Sequence, residues 1–119
     1  MNNLQEQTEV LNSVLEYIGK LSSGIEQVVG LYHGGSDTKA NDIMIHVIDG
    51  LQWTMEAIQV IPDIVKGRID ITVINDHLNQ IVTAFENMDY VLVSDILEYE
   101  VLPIVSDWKE KLGECLECA

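Results

Sequence analysis

Residues 4–33 read LQEQTEVLNSVLEYIGKLSSGIEQVVGLYH, and this stretch decides the fold class. Leu4, Leu11, Ile18, Ile25 and Tyr32 recur every seven residues. Val14, Leu21 and Val28 follow the later members of that series by three, and Leu15 and Val29 widen the stripe. An apolar seam with this 4-3 spacing over about four heptads belongs to an amphipathic helix packed on a neighbour. The spacing predicts a helix over 3–33. His33-Gly-Gly-Ser-Asp37 then breaks the pattern with glycines suited to a helix end and caps suited to a helix start.

Working outward, the same periodicity recurs three more times. A second helix is predicted over 37–65, with Met44, Val47, Ile48, Leu51, Met55 and Ile58 buried. Ile43, Trp53 and Val60 lie off that stripe, as on a helix touching two neighbours. A third is predicted over 70–88 with Ile71, Ile74, Leu78, Ile81, Phe85 and Met88 inward, and Val73 and Val82 beside them. A fourth is predicted over 90–112 with Val93, Leu97, Val101, Ile104, Trp108 and Leu112 inward. Pro103 removes a backbone donor and crowds the turn before it, which predicts a kink near Tyr99. The tail 113–119 is expected to fray. Four helices with short connectors give an all-α fold, an antiparallel up-down-up-down four-helix bundle in one domain.

Composition narrows the partners. Twenty acids face six bases, for a formal net charge of −14 over 119 residues. From Arg68 to Lys109 no further Lys or Arg occurs, while eight acids do. Such a surface repels phosphate backbones and anionic lipid, so nucleic acid and membrane are not expected as partners. No apolar run reaches the ~20 residues of a membrane span. Met1 to Glu9 lacks the basic and apolar parts of a secretory leader, so a cytoplasmic location is expected.

Few residues point to chemistry. The three histidines, His33, His46 and His77, form no Glu-x-x-His or His-Glu-x-x-His motif. His46 is expected to be partly buried. Asp95, Glu98 and Glu100 lie on adjacent turns before Pro103 and, with His46 and His77, are the candidate metal ligands. Glu100 is expected to be buried beside the kink. Cys115-Leu-Glu-Cys118 lacks the βαβ setting of a redox pair and the second ligand pair of a zinc site. No phosphate loop or nucleophile motif occurs, so no catalytic residue, cofactor or enzyme activity is assigned.

Two stretches, Asp49-Gly-Leu-Gln-Trp-Thr-Met-Glu-Ala-Ile58 and Asp89-Tyr-Val-Leu-Val-Ser-Asp-Ile-Leu-Glu-Tyr-Glu-Val-Leu-Pro-Ile104, with Trp108 following, resemble a group of short, uncharacterised helical proteins of Gram-positive bacteria. The resemblance implies no activity and transfers no site residue. The expected function is a protein–protein interaction module, an adaptor, chaperone or regulator that binds a protein partner or itself. Trp53, Tyr99 and Trp108 are its candidate contact residues. The alternative is a bundle holding a metal, or an apolar ligand between Trp53, Trp108, Met44 and Met55, with the capacity for catalysis.

Overall fold

The first helix, α1, runs Leu4–His33 in a computed structural model that describes residues 3–118, Cys118 by its backbone alone. Asn3 caps it by accepting from the Glu6 N–H at 2.7 Å. Leu11, Val14, Ile18, Leu21, Ile25 and Val28 are all buried, as the seven-residue spacing predicts. Leu4, the first member of that series, is exposed. Gly35 adopts a positive φ of 80°, and the Ser36 N–H reaches back to the Leu31 carbonyl at 2.8 Å, closing α1 with a left-handed cap.

Helix α2 spans Asp37–Gln59. It stops earlier than the expected residue 65, because Pro62 supplies no donor and bars helical geometry at Ile61. The chain restarts as α3, a single turn over Pro62–Val65. Lys66 and Gly67 then both adopt positive φ. The expected start at residue 70 is a tight 3-10 turn, Ile71–Ile74, which Asp70 caps at Thr72 and which leads into α4, Asn75–Glu86. The α4 end repeats the cap of α1, with Met88 at φ 57° and the Asp89 N–H on the Ala84 carbonyl at 2.8 Å. Met88 is therefore turned out to solvent and not into the core, a correction to its place on the third stripe.

The last stretch is continuous but not uniform. Helix α5, Tyr90–Ile96, passes through a wide π turn, Leu97–Val101, into α6, Leu102–Cys118. Val93, Leu97, Val101, Val105, Trp108, Leu112 and Cys115 form its buried stripe, with Ser94 and Ile96 buried beside it. Three successive steps of four outrun the 3.6 residues of an α-turn. The π turn takes up the surplus residue and keeps the stripe on the core. That phase change buries Val105, where an unbroken helix would bury Ile104. It also lies one turn before Pro103, where the missing donor and crowding act. The described part of the tail continues α6 to Cys118, with Cys115 buried. Ala119 lies outside the described residues.

Every element among the described residues is helical, and none is a strand. Helix α1 packs on α2 along one side and on α5 and α6 along another, while α4 packs chiefly on α5. The molecule measures 46 × 22 × 20 Å.

Candidate functional site

The seam between α2 and α4 is open to solvent. Helix α2 buries Met44, Val47 and Leu51 toward α1 and the core, and α4 buries only Ile81 and Ala84. Between the two helices lies an open groove of about 310 Å³. Met44 and Ile48 line one wall, and Ile81 and Phe85 the other. Ile45 and Val82 stand on its lips, 61% and 51% exposed. The only charged residues at its edge are Asp49 and Glu86. Ile45 and Val82 are thus apolar side chains left in water on an acidic surface.

Polar and aromatic contacts fix one end of the seam. Tyr32 of α1 stacks on Tyr90 of α5 with ring centres 5.4 Å apart. The Tyr32 hydroxyl donates to Asn41 Oδ1 of α2 at 2.6 Å, and Asn41 Nδ2 donates to the Tyr90 hydroxyl at 3.4 Å. Tyr90 also meets the edge of Phe85 at 6.0 Å, which ties the groove wall to this cluster. Burial, then the neighbouring Tyr90 and Asp37, push the Tyr32 phenol up to about 12. Phe85 thus joins the groove wall to an ordered polar and aromatic cluster at one end of the seam.

Of the sequence-predicted ligands, only His77 and Glu100 come together as a pair among the described residues. His77 is half-buried, with Nε2 3.8 Å from Glu100 Oε2. His33, unassigned from sequence, sits 3.8 Å from Glu98. Glu100 is exposed, not buried, because the π turn rotates it outward. Asp95 is exposed, and His46 is exposed rather than partly buried, lining a shallow depression with Tyr17, Gly50 and Trp53. Among the described residues no group of three or more His, Cys, Asp or Glu is placed to hold a metal ion. Among the described residues, His77 Nδ1, Ser94 Oγ and Glu98 Oε2 are buried without a hydrogen-bond partner.

The candidate apolar-ligand residues are likewise dispersed. Trp108 is buried in the core, Met44 lines the α2–α4 groove, and Trp53 meets Tyr17 edge-on at 5.1 Å. Tyr99 is exposed on the π turn. A second cavity, about 460 Å³, lies between Leu4, Asp63, Lys66, Arg68 and Cys115. Cys115 accepts a long contact from Arg68 at 3.9 Å, and the side chain of Cys118 lies outside the described residues.

Sequence reasoning placed Val82 beside a core stripe and overlooked Ile45. The available signal was a small one: both are apolar residues on the polar side of otherwise regular stripes. No helix among the described residues is long and apolar enough to cross a membrane. A family model described as Domain of unknown function (DUF8042) matches residues 9–111. No curated protein and no solved structure matches the chain.

Proposed function

We propose that this chain, which belongs to the DUF8042 family, is a protein-interaction module whose docking surface is the α2–α4 groove. The observation that carries this reading is the pair Ile45 and Val82, exposed on facing helices above an ordered apolar floor. In this reading the chain is an up-down-up-down bundle whose last helix bends at the π turn below Pro103. Three of its seams are packed and the fourth, between α2 and α4, is left for a partner. The acidic surface supports a protein partner over nucleic acid or anionic lipid. Among the described residues, His46, His77, Asp95, Glu98 and Glu100 come together only as the His77–Glu100 pair, which supports binding over metal chemistry.

Photo-crosslinking in the native host tests the reading. A photoreactive residue at position 82 is expected to trap a reproducible partner, and one at exposed Thr72 is not. Equal capture from both positions, or capture only at position 72, would contradict it.

A further inference from the structure

On the reading that the α2–α4 groove is a docking surface, we infer that its occupant is a basic amphipathic helix of another protein. The groove walls are both helices, whose backbone donors and acceptors are already paired. An extended strand would find no edge to pair with, whereas a helix brings its own hydrogen bonds satisfied. Ile81 to Glu86 rises by about 8 Å, which takes apolar anchors at i and i+4 of a docked helix, about 6 Å apart.

The rim sets the sign of the partner. Asp49 lines the groove, and Asp42 and Glu56, seven residues to either side of it along α2, continue its acidic face beyond the groove; all three are exposed. Glu86 stands across the groove from Asp49. Helix α4 contains no Lys or Arg, and α2 contains only Lys39, in its first turn. A helix with Lys or Arg flanking its anchors meets this rim with complementary charge. A second copy does not: each chain carries −14, and groove on groove would set Asp49 and Glu86 against carboxylates of the same kind.

The test is binding of labelled synthetic peptides to the full chain by fluorescence anisotropy at about 0.15 M salt. The probe is a helix of about 16 residues with Leu at i and i+4 and Lys elsewhere. Its controls are a peptide of the same composition with the Leu positions scrambled, and the same Leu pattern with Glu replacing Lys. The Leu–Lys helix is expected to bind at least about tenfold tighter than either control. Ile45→Ser with Val82→Ser should weaken it about tenfold, since removing exposed side chains leaves the fold intact. Asp49→Lys with Glu86→Lys should weaken it similarly and strengthen the Leu–Glu helix. Equal binding of the scrambled peptide, unaffected by Ile45→Ser with Val82→Ser, overturns both the inference and the groove reading beneath it. Binding of the Leu–Glu helix as tightly as the Leu–Lys helix, with both lost in Ile45→Ser with Val82→Ser, overturns the basic partner and leaves the groove reading standing.

Discussion

Gln7 and Asp63, far apart in sequence, close on each other twice: Gln7 Nε2 donates to Asp63 Oδ2 at 2.8 Å, and the Asp63 N–H donates to Gln7 Oε1 at 3.2 Å. The fully buried amide of α1 thereby caps the first turn of α3, which has no side-chain cap of its own. Gln7→Met keeps the volume and removes both bonds. It is expected to lower stability by about 1–2 kcal/mol, the range for a lost hydrogen-bond pair with a charged partner. A urea titration should show a lower midpoint at an unchanged slope.

Gly50 and Gly30 should respond to alanine with opposite signs. A Cβ on Gly50 would overlap the Tyr17 hydroxyl and lie 3.3 Å from Leu21 Cδ1, and Trp53 holds the Tyr17 ring in place. Gly30 faces nothing within 4 Å. Gly50→Ala is expected to destabilise by about 1–3 kcal/mol through overpacking. Gly30→Ala is expected to stabilise by up to about 1 kcal/mol through helix propensity. Thermal midpoints of the two variants, compared with the parent, check both signs.

High pH should loosen the fold through Tyr32. Its ordinary value is 10.0 and the fold raises it to about 12, so the folded state retains a proton that the unfolded state releases. The contribution is complete below pH 10 and is lost as pH rises toward 12. Urea midpoints are expected to fall across that window, and less steeply in Tyr32→Phe. A parent and variant with the same slope would contradict the assignment.

The π turn can be tested by deletion. Removing the exposed Tyr99 leaves the buried stripe of α5 and α6 at steps of four and three in alternation, the spacing of a regular packed helix. With Pro103→Ala to relieve the ring clash, this deletion is expected to keep full helicity and cooperative unfolding by circular dichroism. Deleting exposed Glu26 from the regular part of α1 turns Val28, Val29 and Tyr32 away from the core by about 100° and is expected to lower the thermal midpoint sharply.

These contrasts show where the sequence was legible. The α1 stripe needed only its own spacing, and Leu11 to Val28 are buried as read. Trp108 was readable as core in the same way. Val105 was not, because its burial depends on a change of helical pitch upstream. Met88 fits the third stripe by spacing, but the left-handed cap that takes it out of the core is settled by the next element. His46, Glu98 and Glu100 share chemistry in the sequence and are separated by rotation about their helices. The groove was the least legible feature, since which seam stays open depends on how α4 packs on α5 and not on any local pattern.

The most direct measurement of the central claim is an amide chemical-shift map of the full chain titrated with the Leu–Lys helix. The largest shifts are expected at Ile45, Ile48, Val82, Phe85 and Glu86, and they should vanish in Ile45→Ser with Val82→Ser. Shifts spread over the acidic surface, or gathered on α1 and α6, would contradict docking in the α2–α4 groove.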